Sequence, residues 1–178
     1  MLKLNQICSI YNTDKNNYHS YVDGIYEELF KTYRNSALNV LEIGVDNGAS
    51  VMMWREYFTN AIITSIDIKD CPQIAGRDRI NHIVADAYSY DIVNSFNDRT
   101  FDIIIDDGNH TLPSITFVVK EYTKKLTKNG LLIIEDFQDF NWTNIIKREV
   151  SEIFKSEVYD LRSLRGRYDD IAMVISRV

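Results

Sequence analysis

The amino-acid sequence predicts an α/β protein built on a doubly wound sheet of seven strands, six of them parallel and the last one antiparallel. From residue 39 to residue 154, short β-rich runs alternate with longer runs of helical apolar spacing. This alternation is typical of βαβ units and a parallel sheet. The last two β-rich runs, 157–162 and 170–178, are joined only by SLRGRYD. Because parallel neighbours need a crossover of about a dozen residues or more, the final strand must run antiparallel to its neighbour.

The predicted strands and helices follow one another in chain order. The strands are 39–45, 62–68, 80–86, 101–107, 131–137, 157–162 and 170–178. The helices are 2–11, 22–33, 50–58, 88–96, 113–126 and 142–154. The fourth strand, FDIIIDD, contains three consecutive isoleucines, which indicates a strand that is buried on both faces.

Composition and charge exclude several classes of function. The 178 residues carry a net charge of −6, with 45% hydrophobic and 26% charged residues. An acidic chain does not favour nucleic acid as a partner, and no apolar run approaches the ~20 residues that span a bilayer. The N-terminus lacks the apolar core of a signal peptide, and Cys8 and Cys71 fit no zinc pattern. We therefore expect free thiols, a cytoplasmic location and no membrane partner.

Acidic residues stand at the carboxyl ends of the first five predicted strands, where ligands bind in open parallel sheets. They are Glu42, Asp67, Asp86, the pair Asp106 and Asp107, and the pair Glu135 and Asp136. Capping of the following helices would account for one or two of these acids. Acids on all five strands instead predict a site for a cationic or hydroxyl-rich ligand.

The turn after the first strand has the spacing E-x-G-x-x-x-G-x-S, from Glu42 through Gly44 and Gly48 to Ser50. A dinucleotide-binding turn would read GxGxxG, but Asp46 stands where the second glycine is needed. The missing glycine pair suits a cofactor that has no pyrophosphate to hold.

Three residues further along the chain extend this cofactor hypothesis. Asp67 lies about twenty residues after the turn, where an acid accepts both hydroxyls of a ribose. Asp86 and Ala87 follow the third strand, where a side chain and a backbone amide could meet the edge of an adenine.

The sequence resembles the class I S-adenosylmethionine-dependent methyltransferases, a Rossmann-like fold, in its strand order, its closing hairpin and the segment LEIGVDNGAS. The segments TDKNNYHSYVDGIYEELF, IDDGNH and IIEDF make it similar to the metal-dependent sugar O-methyltransferases typified by the macrocin and mycinamicin enzymes. The resemblance implies one domain, 1–178, with an N-terminal helical lid segment (1–36) and a cofactor-binding core (37–178). Because the chain is short, the acceptor and the oligomeric state need not carry over from that family; a homo-oligomer remains open.

The resemblance also implies the roles of the remaining site residues. S-adenosylmethionine would be the cofactor, and Lys15 and Asp106 would join its binding site, although Asp106 could instead orient its turn. Mg²⁺ or Mn²⁺ would be held by Asp107, Glu135 and Asp136, which are the oxygen ligands that Mg²⁺ prefers. His110 would act as general base toward a hydroxyl of a small-molecule acceptor, a sugar or a nucleotide sugar.

Several alternatives stay open at this stage. The chain could be a metal-independent methyltransferase with His110 as base, a catalytically silent cofactor-binding partner subunit, or, against the evidence of Asp46, a nicotinamide oxidoreductase. His19 belongs either to a lid or to a surface loop, and His82 fits a structural role.

The loop between the last two strands has two interpretations as well. It carries Arg162, Arg165 and Arg167, which either grip a phosphate of the acceptor or pair with Asp169 and Asp170.

Overall fold

The computed structural model describes residues 1–178 and contains one sheet in the order β3-β2-β1-β4-β5-β7-β6. Strands β1 to β5 pair in parallel, whereas β7 runs antiparallel to both β5 and β6. The prediction of six parallel strands and one antiparallel strand is therefore confirmed. The strands are β1 Asn39–Ile43, β2 Ile62–Asp67, β3 Ile80–Val84, β4 Phe101–Asp106, β5 Leu126–Ile134, β6 Phe154–Asp160 and β7 Ile171–Arg177.

The helices agree with the predicted order and differ in detail. The α-helices are α1 Leu4–Tyr11, α2 Asp14–Asn17, α3 Glu27–Phe30, α4 Ala49–Tyr57, α5 Tyr90–Ser95, α6 Leu112–Glu121, α7 Asn141–Glu149 and α8 Arg162–Arg165. A π-helical turn, Val22–Tyr26, leads into α3, and a 3₁₀ turn, Tyr122–Lys125, follows α6. None of these helices has the length and apolar character needed to cross a membrane.

Two boundaries differ from the prediction for identifiable reasons. Strand β5 begins at Leu126 rather than at residue 131, because Leu126 already pairs with Phe101 before a register shift. The polar residues after Leu126 hide this early start in the sequence. Helix α2 forms within the polar stretch 12–20, where the Thr13 side chain accepts a hydrogen bond from the Lys15 backbone amide and caps the helix.

Apolar layers cover both faces of the sheet. One cluster joins the N-terminal helices and α4 to one face, and a second joins α5, α6 and α7 to the other. The side chains of Ile103 and Ile105 enter the first cluster, and that of Ile104 enters the second. Because successive strand residues point to opposite faces, the isoleucine run is explained by burial on both sides.

The N-terminal segment packs as part of the domain core. Leu4, Val22, Tyr26 and Phe30 are fully buried, and the rings of Tyr26 and Phe30 stack 4.8 Å apart and meet Trp54 of α4 edge-on. Residues 1–36 thus form a packed layer on the sheet. The expectation that they act as a lid stays a prediction.

The turn after β1 touches the turn after β4. The Asp107 backbone amide donates to the Ile43 carbonyl at 2.9 Å, and Gly44 has a φ of +86°. A Cβ atom at Gly44 would overlap the carbonyl oxygen of Asp107. Gly44 is therefore required for its backbone conformation and for this close approach.

We predict that Gly44→Ala destabilises the protein much more than Gly76→Ala. Gly76 also has a positive φ, +68°, but open space surrounds its position. Gly76→Ala should cost about 1 kcal/mol from backbone strain alone, and Gly44→Ala should cost at least about 2 kcal/mol more from overpacking. Chemical denaturation of both variants measures the difference, and equal losses would show that the two turns do not touch.

Candidate active site

A cleft of about 790 Å³ opens at the carboxyl ends of the parallel strands, within the size range of ligand pockets. Eight of the predicted site residues line this cleft: Gly44, Ser50, Asp67, Asp86, Ala87, Asp107, His110 and Asp136. Five others do not line it and lie behind its wall: Lys15, Glu42, Gly48, Asp106 and Glu135. Residues of the first group can contact a ligand in the cleft, whereas those of the second group can only support its wall.

The half of the cleft near β1 to β3 is shaped by carboxylates that fix the backbone. Asp67 accepts hydrogen bonds from the backbone amides of Val45 and Lys69, at 2.8 and 2.9 Å. Asp86 accepts one from the Tyr88 amide at 2.9 Å. Asp67 thereby joins the turn after β2 to the turn after β1, and Asp86 fixes the turn after β3 locally.

The Glu42 carboxylate faces into the protein, away from the cleft. It accepts hydrogen bonds from Ser50 Oγ and Trp54 Nε1, both at 3.0 Å, and burial raises its pKa to about 7. The expected direct contact of Glu42 with a cofactor does not fit this geometry. Gly48 caps α4 with a φ of +82°, so its role is also to shape the turn.

Asp106 organises the turn after β4, which is one of the two roles that the sequence left open. It is buried and accepts a hydrogen bond from the Tyr88 hydroxyl at 2.9 Å. The same hydroxyl accepts one from the Asn109 amide. Burial raises the pKa of Asp106 to about 6, although the Tyr88 hydrogen bond opposes this rise.

Three ligand-type side chains converge at the other half of the cleft. His110 Nε2 lies 3.8 Å from Asp107 Oδ1 and 3.6 Å from Asp136 Oδ2, and one ligand atom from each of the three residues lies within 4.8 Å of the others. His110 and Asp136 both have positive φ angles, +50° and +55°. Such backbone strain concentrates at functional sites.

The Lys15 ammonium lies at the centre of the buried acids. It is 2.6 Å from Glu135 Oε2, 2.8 Å from Asp107 Oδ2 and 3.7 Å from Glu42 Oε1, with 1% of its side chain exposed. Burial alone would lower the pKa of Lys15, but these carboxylates outweigh it and raise the pKa well above its usual value. Since the ammonium is engaged and does not reach the cleft, the expected contact of Lys15 with a cofactor does not fit.

Glu135 and Asp136 are each held by side chains of the N-terminal segment. The Tyr26 hydroxyl donates to Glu135 Oε1, and the Tyr21 hydroxyl donates to Asp136 Oδ1 at 2.5 Å. His19 Nδ1 lies 3.2 Å from Asp136 Oδ1 and 2.9 Å from Asp170 Oδ1. Glu135 belongs to neither of the two convergent sets, which are His110 with Asp107 and Asp136, and His19 with Asp136 and Asp170.

The surroundings of His19 and His82 decide between their alternative roles. His19 is buried against the acids, so the surface-loop alternative is wrong. His82 contacts Ser65 Oγ at 3.0 Å within the sheet, as its structural interpretation predicts.

The arginines of the β6–β7 connection favour ion pairs over a free anion site. Arg167 lies 2.8 Å from Asp169 and its guanidinium covers the Tyr18 ring at 3.8 Å. Arg162 pairs with Asp160 at 2.7 Å. Arg165 is exposed on α8.

Sequence reasoning missed Tyr26, Tyr88 and Asp170. Tyr26 and Tyr88 contact the predicted site residues Glu135 and Asp106, and Asp170 contacts His19. Aromatic residues inside helical spacing predict core packing, and the sequence linked Asp170 only to the arginines. The family-like spacing of TDKNNYHSYVDGIY was the one signal that could have linked Tyr21 and Tyr26 to the acids.

We predict that Lys15→Met lowers the free energy of unfolding by about 3–5 kcal/mol, because it leaves buried carboxylates without their counter-ion. Lys125→Met is the matched control. Lys125 is also buried, but its partner Asp98 is largely exposed, so the loss should stay near 1 kcal/mol. Urea denaturation compares the two, and similar losses would contradict a special role for Lys15.

The chain is similar to several O-methyltransferases of Streptomyces and Micromonospora. It is 30% identical over 141 residues to the 8-demethyl-8-alpha-L-rhamnosyl tetracenomycin-C 2'-O-methyltransferase of Streptomyces olivaceus. It is also 30% identical over 148 residues to the demethylmacrocin O-methyltransferase of Streptomyces fradiae and to the mycinamicin VI 2''-O-methyltransferase of Micromonospora griseorubida. These matches cover 74–78% of this chain and 37% of each relative, so the chain spans little more than a third of their length.

Solved structures share the fold. The MycE methyltransferase of the mycinamycin pathway, in complex with Mg, SAH and mycinamycin VI, superposes with a TM-score of 0.74 at 25% identity. The superposition covers 99% of this chain and 55% of MycE. A second MycE structure, with Mg and SAH, gives a TM-score of 0.74 at 24% identity over the same shares of both chains.

The family model described as a methyltransferase domain matches residues 41–137, which is more than half of the 178 residues. The matched region runs from β1 through the Glu135–Asp136 pair and includes the turns that line the cleft. The closing antiparallel strand β7 lies beyond this region, and the MycE superposition, which covers 99% of the chain, extends the likeness to it. The chain therefore belongs to the methyltransferase-domain family.

Proposed function

We propose that the chain is an S-adenosylmethionine-dependent O-methyltransferase that acts on a hydroxyl of a sugar or glycosylated small molecule with the help of Mg²⁺. The observation that carries this proposal is the convergence of Asp107, His110 and Asp136 at one half of the cleft. The other half, beside Asp67 and Asp86, offers room and hydrogen-bond acceptors for an adenosyl group.

The cofactor proposal rests on the turns after the first three strands. Asp67 and Asp86 line the cleft at adjacent strand ends, where carboxylates accept ribose hydroxyls and polar base edges. Gly44 also lines the cleft, and its backbone is pressed against Asp107, so this turn presents main chain to a ligand.

The donor set fits a divalent cation. Asp107 and Asp136 offer carboxylate oxygens to the cleft, and burial together with the charge of Asp107 raises the pKa of Asp136. Two repelling carboxylates of this kind favour a positive ligand, and Mg²⁺ prefers such oxygens. The expected third ligand, Glu135, does not fit this geometry, because it does not line the cleft and its two oxygens are engaged by the Lys15 ammonium and the Tyr26 hydroxyl. The proposed carboxylate ligands are therefore Asp107 and Asp136. A cation held there would polarise the acceptor hydroxyl and lower its pKa.

His110 is the proposed general base. Its ring borders the cleft, and its Nε2 atom lies 3.8 Å from Asp107 Oδ1 and 3.6 Å from Asp136 Oδ2. The imidazole takes the proton of the acceptor hydroxyl as the oxygen forms a bond to the methyl carbon. S-adenosylmethionine, when bound, would supply that methyl group: the bond from its sulfur to the carbon would break, and the electron pair would stay on the sulfur of S-adenosylhomocysteine. Orientation of the reacting atoms supplies much of the rate.

The acceptor class is proposed from the relatives, whose names specify glycosylated substrates. The nucleotide-sugar alternative loses support, because Arg162 and Arg167 are engaged by Asp160 and Asp169. A hydroxyl of a neutral glycoside is therefore favoured over a phosphate-linked sugar.

We predict that S-adenosylmethionine and S-adenosylhomocysteine both bind and raise the melting temperature, as ligands of the native state do. Asp67→Asn should weaken S-adenosylhomocysteine binding by roughly 10- to 100-fold, from lost charged hydrogen bonds. The exposed Asp91→Asn on α5 is the control and should bind normally. Calorimetry that detects NAD binding and no response to either adenosyl compound would sink the assignment.

We predict that turnover of a glycoside acceptor stops in EDTA and returns with Mg²⁺ or Mn²⁺. Asp136→Asn should lower kcat by about 100-fold or more while leaving the affinity for S-adenosylhomocysteine unchanged, because the cation serves the acceptor. Asp139→Asn, an exposed acid three residues away, should behave as wild type. Full turnover in chelator would reject the metal and favour His110 acting alone; no turnover with any acceptor would favour the silent binder.

A further inference from the structure

The N-terminal segment supplies four side chains that grip the Glu135–Asp136 pair, and we call them the brace: Lys15, His19, Tyr21 and Tyr26. Lys15 and Tyr26 hold Glu135. His19 and Tyr21 hold Asp136. All four brace residues precede the matched methyltransferase region, which begins at residue 41.

The π-helical turn explains how two tyrosines reach neighbouring carboxylates. Tyr21 and Tyr26 are five residues apart and flank or end the π-helical turn Val22–Tyr26. In a π-helix, backbone hydrogen bonds join residues i and i+5, so these residues share a face, and their rings lie 6.0 Å apart. An ordinary α-helix would direct them to different sides. π-helical turns of this kind occur frequently at functional sites.

Tyr21 makes two hydrogen bonds to one residue. Its hydroxyl donates to Asp136 Oδ1 at 2.5 Å and accepts from the Asp136 backbone amide at 3.0 Å. Asp136 has a φ of +55°, which costs energy for a residue other than glycine. The Tyr21 hydroxyl thus fixes both the strained backbone and the carboxylate of Asp136, whose other oxygen faces His110.

We propose that Tyr21, presented by the π-helical turn and supported by His19, is a positioning residue that pre-orients the Asp136 carboxylate for a divalent cation, whereas Tyr26 and Lys15 stabilise the inward-facing Glu135. The inference rests on the proposed metal-dependent function and extends it to a segment outside the methyltransferase region. A ligand carboxylate that is already hydrogen-bonded loses less freedom when a cation binds, and loss of such a partner lowers metal affinity by about 10- to 100-fold.

A purely structural role is the competing explanation. In that case the Tyr21 hydroxyl only satisfies a buried carboxylate oxygen, and its removal lowers stability without changing metal affinity. The substitutions Tyr21→Phe and Tyr26→Phe separate the two roles, because they remove one hydroxyl each, from Asp136 and from Glu135, and keep the aromatic packing. Tyr33→Phe is the matched control, since its hydroxyl donates to the Asn129 carbonyl, away from the acids.

The test is a Mn²⁺ titration of the full chain followed by electron paramagnetic resonance of free Mn²⁺, together with thermal melts and S-adenosylhomocysteine calorimetry. Tyr21→Phe should bind Mn²⁺ about 10- to 100-fold more weakly, with unchanged affinity for S-adenosylhomocysteine. Tyr26→Phe, which acts on Glu135, and Tyr33→Phe should keep the wild-type Mn²⁺ affinity. Wild-type Mn²⁺ affinity in Tyr21→Phe, or tighter Mn²⁺ binding, would overturn the positioning role while the metal proposal stands. Failure of the wild-type chain to bind Mn²⁺ would overturn both.

Discussion

One buried ion cluster constrains how the N-terminal segment packs on the sheet. In it the Lys15 ammonium lies among the carboxylates of Glu42, Asp107 and Glu135. The parallel sheet brings the acids of β1, β4 and β5 together at one edge, since the carboxyl ends of parallel strands point the same way. Buried carboxylates without a counter-ion would cost several kcal/mol. The N-terminal segment must therefore dock where its lysine can enter the cluster, and the apolar packing of Tyr26 and Phe30 against Trp54 holds it there.

The strand order divides the cleft into two chemically different halves. From β1 the chain moves outward through β2 and β3, and it then returns to place β4 and β5 on the opposite side of β1. Open α/β sheets bind ligands at such a switch point. On one side Asp67 and Asp86 face the cleft in turns fixed by backbone hydrogen bonds. On the other side stand Asp107, His110 and Asp136. The proposed function assigns the cofactor to the first half and the acceptor hydroxyl to the second, with the Gly44–Asp107 contact between them.

The sequence predicted the sheet well, because strands buried on both faces are continuous apolar runs and the final hairpin is too short for a crossover. It also located the acids, but not which member of each doublet reaches the cleft. Successive strand residues point to opposite sides, and here Asp107 and Asp136 border the cleft whereas Asp106 and Glu135 are turned inward. Which side faces a ligand depends on tertiary contacts such as those of Tyr88 and Lys15. The π-helical turn was equally hidden, because its apolar spacing also fits an ordinary helix.

The acids form two layers with different sources of compensating charge. The inner layer, Glu42 and Glu135, is neutralised from within by Lys15 and by hydrogen bonds from Trp54 and Tyr26. The outer layer, Asp107 and Asp136, receives only part of that compensation and faces the cleft. Because burial and mutual repulsion disfavour two ionised carboxylates, the outer layer gains most from a positive charge arriving through the cleft. This division explains how one cluster can be stable inside a folded domain and still attract a cationic ligand. Lys15 stabilises the fold, and the negative charge of Asp107 and Asp136 beside His110 stays available to bind a cation.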